Sequence, residues 1–427
     1  MPPAELALLS TEHENMLSCV RCGQCLTSCP TYILSGHESE GPRGRIAMMR
    51  GLLEGRLEVT PELLQHEQNC LVCDACTAVC PAGVHMDPLQ VALRSAIEPA
   101  VRRTPWQRAI RHVVFRRVFS DMGSFRRLIW LIWLYQRSGL QLLARTLGVL
   151  HVLGLAKPES LLPPVSHDFL VPQGELLEAD PPQPDAPTVS FFAGCVMSTA
   201  LADIDRATIR VLRRAGYRVE LTAGQGCCGA LNAHGGDVSG ALPLAQRNIQ
   251  AFEAGGDQPI VNNAAGCGAM LKDYGHHFRG DAGWAERASA FSRRVKDLTE
   301  LLAERPIPFR RGLAIAATYQ EPCHLAHAQR ITRQPRAILK TVPELELREM
   351  TESTLCCGSA GIYNVTNPTE SEALCDRKLA NAASTGADVI VTANPGCLMQ
   401  LQAGLKARGQ NTRVAHIAEL LDEASAP

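Results

Sequence analysis

Eight cysteines in the first hundred residues fall into two runs of one spacing, Cys19-x2-Cys22-x2-Cys25-x3-Cys29-Pro30 and Cys70-x2-Cys73-x2-Cys76-x3-Cys80-Pro81. Three cysteines two residues apart wrap one face of a compact iron–sulfur cube, and the proline-terminated turn carries the fourth away to the other cube. The spacing therefore predicts two [4Fe-4S] clusters. The first takes Cys19, Cys22, Cys25 and Cys80, and the second takes Cys70, Cys73, Cys76 and Cys29. Such a set carries single electrons. Structural zinc explains less, because a tetrahedral site does not require a proline after each fourth cysteine. Disulfides suit small secreted domains, whereas this chain has 427 residues, an odd seventeen cysteines and an opening Met1-Pro2-Pro3-Ala4-Glu5 that lacks the charged-then-apolar pattern of a signal segment. The expected compartment is the reducing cytosol.

A second set of cysteines belongs to an internal repeat. Cys195, Cys227, Cys228 and Cys267 recur as Cys323, Cys356, Cys357 and Cys397, at offsets of 128, 129, 129 and 130 residues. Val189–Ala193 and Ala314–Thr318 both read as a strand delivering a cysteine at its end, and Gly266-Cys267 parallels Gly396-Cys397. Two similar lobes follow. A cysteine after one strand, an adjacent pair on a Gly-flanked turn and a fourth at a helix start can meet at the carboxyl edge of a parallel sheet, where such folds place ligands. The bland reading is that buried cysteines are small inert hydrophobes. It suits Cys375, whose repeat partner is Ala245, better than it suits two recurring quartets.

These residues must be positioned by several domains. The composition, 46% hydrophobic and 20% charged with net charge −1, is that of a globular chain able to bury a sizeable core, and nothing in it suggests nucleic acid. Residues 1–100 carry the cluster runs on a helical domain, with Arg45–Leu53 expected as a helix ended by Gly55. Residues 101–187 form a basic helical connector and a linker: 102–145 hold ten arginines against one acid, Asp121, and 157–187 contain eight prolines. From Val189 onward, β-branched runs alternate with helical patterns, the mark of βαβ units around a parallel sheet, giving lobes over 188–310 and 311–427.

Other motifs carry weaker readings. Gly224-Gln-Gly226-Cys-Cys-Gly229 spells a dinucleotide fingerprint, but its repeat positions are Ser353, Leu355 and Gly358, so these glycines are better explained by a tight turn beside bulky sulfur ligands. His324 and His327 lie near Cys323 and are either ligands or loop residues bonded to backbone. His85, after Cys80-Pro81, tunes local charge. In the connector, Leu128-Ile-Trp-Leu-Ile-Trp-Leu-Tyr135 is flanked by Arg126, Arg127 and Arg137. It is too short to span a bilayer. Trp130, Trp133, Arg126 and Arg127 read either as an interfacial contact with anionic lipid or a partner, or as packing of the connector against its own domains.

Cys22-Gly-Gln-Cys25, Gly41-Pro-Arg-Gly-Arg-Ile46, Phe192-Ala-Gly-Cys195 and Leu355-Cys-Cys-Gly-Ser-Ala-Gly361 together make the chain resemble the iron–sulfur subunits of bacterial glycolate oxidase, relatives of heterodisulfide reductase and of the anaerobic glycerol-3-phosphate dehydrogenase small subunit. The resemblance covers nearly the whole chain. It implies a multidomain fold: an α-helical ferredoxin domain with two cluster sites, a helical connector, and a pseudo-twofold pair of α/β cysteine-rich lobes. It also implies electrons accepted from FAD-bearing partner subunits that oxidise glycolate to glyoxylate; the basic, tryptophan-bearing stretch of the connector, read as an interfacial contact, points to delivery toward a membrane quinone or another acceptor from a peripheral position on the inner membrane face. The fuller motif of the heterodisulfide relatives ends in C-x-x-C, and here Met270 and Gln400 occupy the last positions. That departure leaves one or two further iron–sulfur clusters in the lobes, a shared site, or none. The competing functions are a thiol–disulfide reductase and the iron–sulfur subunit of a lactate or glycerol-3-phosphate dehydrogenase. Hydride abstraction from a hydroxy acid requires a flavin, and no flavin fingerprint survives, so substrate oxidation belongs to another polypeptide.

Overall fold

The computed structural model describes residues 6–427, so the Met1–Glu5 opening lies outside the described residues. The N-terminal domain is built of short helices around an apolar core of Leu9, Met16, Ile46, Met49, Leu89 and Leu93. Two proline-started helices, α1 (Pro30–Ser35) and α2 (Pro42–Leu53), follow the first cysteine run. Proline suits the first helical position because its missing N–H would have no helical partner there. The chain leaves α2 through Gly55, which has a positive φ. Helix α3 (Pro61–Gln68) starts at Thr60, whose side chain accepts from the Leu63 N–H. The second cysteine run then wraps α4 (Ala75–Val79) and leads into α5 (Met86–Ile97), which buries Leu89, Val91 and Leu93.

The connector continues as α6 (Pro105–Val113), a five-residue π turn over Val114–Val118, α7 (Met122–Arg137), α8 (Leu140–Thr146) and α9 (Val149–Val152). A capping box between Thr104 and Gln107 starts α6, and the Asp121 carboxylate accepts from the Ser124 N–H to start α7. The proline-rich stretch after them is not uniformly irregular, as its sequence suggests. Strand β1 (Glu175–Leu177) pairs antiparallel with β3 at the edge of the first sheet, where its three residues fit between prolines.

The first lobe has strands β2 (Thr188–Phe191), β3 (Arg218–Leu221), β4 (Ile260–Asn262) and β5 (Val295–Asp297), all parallel, in the order β1-β3-β2-β4-β5. Helices α10 (Ala202–Arg214), α11 (Ala265–Lys272) and α12 (Leu298–Glu304) follow β2, β4 and β5. The second lobe repeats the plan with β6 (Ala316–Tyr319), α13 (Arg333–Leu339), β7 (Glu346–Arg348), β8 (Val389–Thr392), α14 (Pro395–Ala407), β9 (Arg413–His416) and α15 (Ile417–Ser425), its sheet ordered β7-β6-β8-β9. The extra length of the first copy is two helices, Tyr274–His277 and Ala285–Arg294, which pack on each other before β5.

The lobes exchange helices. The first helix of each packs on the last helix of the other, α10 on α15 and α13 on α12. Arg210 and Arg214 both reach Asp422 across this contact, at 2.6 and 2.8 Å. His416 closes it from within: its Nδ1 caps α15 by accepting from the Ala418 N–H, so its Nε2–H donates to the Asn263 carbonyl of the first lobe at 2.8 Å. Complete burial holds this imidazole down at about 4, below the ordinary 6.5. An unfolded histidine therefore binds a proton between pH 6.5 and 4 that the folded one refuses, and stability falls as pH drops through that window. About 3 kcal/mol is expected to be lost. Urea midpoints between pH 7 and 4 check this, the slope from this residue disappearing in His416→Gln.

Candidate metal centres

The N-terminal cysteines line two cavities. One is walled by Cys19, Cys22, Cys25 and Cys80, the other by Cys29, Cys70 and Cys73, and Cys76 stands on the wall between them. The fourth cysteine of each run thus lies with the first three of the other run. The local cause is the extended backbone at Cys29 (φ −83°, ψ 117°) and Cys80 (φ −73°, ψ 115°), each ahead of its proline, a residue that disfavours helix in its predecessor. Backbone N–H groups point at the sulfurs: Val72 donates to Cys70 Sγ and Val84 to Cys80 Sγ, both at 3.4 Å. Among the described residues no three His, Cys, Asp or Glu side chains converge on a point for a single ion.

The second cavity is the more deeply buried, with Cys29 and Cys73 buried in its wall where the first exposes Cys22. Arg45, 1% exposed, donates to Glu40 Oε2 at 2.8 Å, to the Glu40 carbonyl and to the His66 carbonyl. Glu40 is held further by His66 Nδ1 at 2.6 Å and Asn69 at 3.3 Å. Arg94 reaches the Cys70 carbonyl at 2.5 Å. Burial pushes the Cys70 thiol up, and Arg45 and Arg94 pull it back. Burial likewise pushes Cys25 to about 11 and Cys73 and Cys76 well above the ordinary thiol range. Thiols this reluctant to ionise surrender their protons when a metal replaces them.

In each lobe the four cysteines come together beyond the carboxyl ends of the parallel strands. Their sulfurs adjoin in one chain, Cys195 to Cys227 to Cys228 to Cys267, repeated as Cys323 to Cys356 to Cys357 to Cys397. Cys323 and Cys356 stand 4.0 Å apart. Gly229 and Gly358 follow the adjacent pairs with φ of +89° and +84°, and a Cβ on Gly358 would sit 2.4 Å from the Ser371 carbonyl. The left-handed φ accounts for the glycine in both copies, the close approach reinforces it at Gly358, and no dinucleotide loop is needed to explain it.

The two quartets have different neighbours. Leu71, Cys73 and Ala75 of the second cluster run share an apolar cluster with Cys356, Tyr363 and Leu374, with Cys323 packed against it. His324 Nε2 donates to the Val72 carbonyl at 2.8 Å, and Arg330 grips the Ala78 carbonyl. The first lobe's Cys195 and Cys227 instead pack beneath Phe125 and Ile129 of α7. The two histidines near Cys323, His324 and His327, both bond to backbone, His327 to the Thr354 carbonyl at 3.0 Å. The missing fifth cysteines are filled structurally: Met270 sits in an apolar core, and Gln400 is held by Asn364 and Ser371 at 3.0 Å each. Cys375 is buried against the Gln400 carbonyl, apart from both quartets.

The residues fit iron–sulfur clusters. The donor set is all thiol, and the buried Tyr363 hydroxyl, among Cys356 and Cys70, has no hydrogen-bond partner among the described residues. A sulfur-rich group beside it would accept that bond. The second site also touches a cleft of about 780 Å³ at the junction of the three domains, with Cys70, Arg94 and Tyr363 on its wall.

Three family models match the chain. A 4Fe-4S dicluster domain matches residues 15–84, the linker region of the glycolate oxidase iron–sulfur subunit matches 106–162, and a cysteine-rich domain matches 189–272 and again 317–402. The probable glycolate oxidase iron–sulfur subunit of Bacillus subtilis (strain 168) is 39% identical over 421 residues, covering 96% of this chain and 94% of that protein. The glycolate oxidase iron–sulfur subunit of Escherichia coli (strain K12) is 34% identical over 95% of this chain and 93% of its own length. Lactate utilization protein A of Bacillus thuringiensis (strain Al Hakam) is 30% identical over 56% of this chain. A solved structure of a hypothetical protein from Helicobacter pylori shares the fold, with a TM-score of 0.50 at 11% identity over 99% of this chain and 77% of that one.

Proposed function

The chain belongs to the family of glycolate oxidase iron–sulfur subunits, and from that premise we propose that it is the electron-transfer subunit of a complex whose FAD-bearing partners oxidise glycolate to glyoxylate. The observation that carries this reading is the pair of cysteine cavities, each completed by the other run's last cysteine, standing next to the second lobe's quartet. Clusters held by Cys19, Cys22, Cys25 and Cys80 and by Cys29, Cys70, Cys73 and Cys76 would supply one-electron relay, at potentials between roughly −700 and +450 mV that depend on charge, hydrogen bonds and exposure.

The chain's own residues give this relay a direction. Cys22 is exposed and makes the first site the edge a partner can approach. Arg45 and Arg94 hold cationic charge beside Cys70, which favours an added electron at the second site. Leu71 and Cys73 then pass the path to the apolar cluster around Cys356, where the second lobe's quartet is the next sulfur site. Glycolate oxidation releases two electrons and two protons; the electrons travel singly through this chain and end on a quinone or another acceptor.

The burial of the quartets argues against disulfide reduction. Cys195, Cys227, Cys228, Cys356, Cys357 and Cys397 are all at most 6% exposed, and the half-buried Cys267 and Cys323 each stand alone at the end of their quartet, so no exposed pair of thiols is presented to a disulfide substrate. The full chain, purified without oxygen, is expected to hold about eight irons in its N-terminal domain and about four more for each loaded lobe, to bleach with dithionite, and to oxidise glycolate with a dye only when its flavin partners are added. Glycolate turnover by this chain alone would overturn the proposal.

A further inference from the structure

The connector carries large apolar side chains on the face turned away from the protein. On α6 the polar Arg111 points inward, to Glu98 and the Gly235 carbonyl, while Trp106 is 73% exposed with Ile110 and Val113 one and two turns on. On α7 the inward face is Phe125 and Ile129, and the outward face carries Trp130 and Leu131, 45% and 55% exposed. Helices α8 and α9 continue this surface, with Leu142 at 69% and Val152 at 87%. Among the described residues, fifteen of the twenty-four exposed large apolar side chains lie between residues 106 and 155. A concentration of that kind marks an interaction surface.

Charge says what covers it. From residue 122 to 158 there is no acid, and four arginines and Lys157 fall among the apolar residues. Arg103, Arg111 and Arg116, upstream, are occupied by Glu98 and Asp237, Arg145 by Glu159 and Lys157 by Glu372. Arg126, Arg127 and Arg137 form no ion pair among the described residues and stand at the two ends of the exposed face of α7. Trp133 is turned aside onto His167, at a ring distance of 4.6 Å, so Trp130 is the outward tryptophan. Helices of this composition lie in the plane of a bilayer interface and are drawn to anionic headgroups. No described helix is long and apolar enough to cross a membrane.

We propose that the outer face of α7, α8 and α9 docks the chain on an anionic lipid bilayer, with the lipid on one side of α7 and the first lobe's cysteine quartet on the other. Only the thickness of a helix, about 10 Å, then separates Cys195 and Cys227 from the acyl boundary, and a lipid-soluble acceptor is within reach of the first lobe. That last consequence rests on the electron-transfer reading. The docking itself does not.

The test is flotation of the full chain, purified without oxygen, on vesicles of phosphatidylcholine with and without about a third phosphatidylglycerol. Wild type is expected to partition roughly a hundredfold better onto the anionic vesicles. Arg127→Glu with Arg137→Glu is expected to erase that preference, and Trp130→Ser with Leu131→Ser to abolish binding to both. All these positions face outward, and unchanged iron content and far-UV circular dichroism verify the fold. Absence of flotation by wild type overturns the proposal, as does equal flotation of the Trp130→Ser, Leu131→Ser variant. So does a result in which these serines leave lipid binding alone but release the flavin partners, which assigns the face to a protein. Iron content and dithionite bleaching test the electron-carrier reading separately.

Discussion

Replacing Cys29 with serine is expected to destroy the cluster site that lies forty residues further along the chain and to spare the one within its own run. Cys29 lines the cavity of Cys70 and Cys73, whereas Cys19, Cys22 and Cys25 share theirs with Cys80. A lost thiolate leaves three ligands, so Cys29→Ser should lack about four irons, and Cys80→Ser should lack the same number from the other site. The two variants are distinguished by what else fails. The second cavity abuts Cys356 and Cys323 through Leu71 and Cys73, so Cys29→Ser should also stop dithionite-independent reduction of any center in the second lobe by the flavin partners. Low-temperature spin resonance of the two variants, reduced first by glycolate with the partners and then by dithionite, reads both effects. Loss of the first site's signal in Cys29→Ser would mean that each run closes on itself.

The ligand geometry is readable in the sequence because its cause is local. Proline after Cys29 and Cys80 imposes the extended backbone that sends each sulfur away from its own run. The repeat is readable for a similar reason, since the first and last cysteines of each quartet follow their strands at matching distances and the adjacent pair is closed in both copies by a glycine of positive φ, Gly229 and Gly358. The edge strand β1 is not readable: Glu175-Leu-Leu177 is too short to carry a period, and its partner β3 comes some forty residues later. Nor does the sequence distinguish the two quartets. Their motifs match, and what separates them is tertiary, His324 and Arg330 fastening the second lobe to the ferredoxin domain while α7 covers the first. The apolar run of α7 is evident in the sequence, but the orientation of its two tryptophans is not, because it is set by His167 from the linker.

Arg45 is the residue whose loss should cost the fold most. It stands in the Gly41-Pro-Arg-Gly-Arg-Ile46 segment, where Pro42 starts α2 and Gly44 lies so close to the Glu38 carbonyl that a Cβ would come within 1.9 Å of it. This tight entry points Arg45 inward, where it meets Glu40, the His66 carbonyl and the Thr31 hydroxyl at once. Arg45→Met leaves the Glu40 carboxylate buried without its cation, a change that costs about 3–5 kcal/mol. Arg45→Lys should recover little, because an ammonium cannot replace a guanidinium that bonds three groups in one plane. Arg45→Met combined with Glu40→Gln should recover much of the loss, since the stranded charge is then gone. The same cation lies beside Cys70 and Cys29, and its removal takes away positive charge that favours an added electron. The double variant therefore separates two roles: it should fold and bind iron at the second site, and because Arg45 lines that cavity while Glu40 does not, loss of both charges should still leave the reduction potential there below that of wild type. Urea midpoints of the three variants together with a redox titration check this, and a double variant of restored stability with an unchanged potential would confine Arg45 to holding the fold.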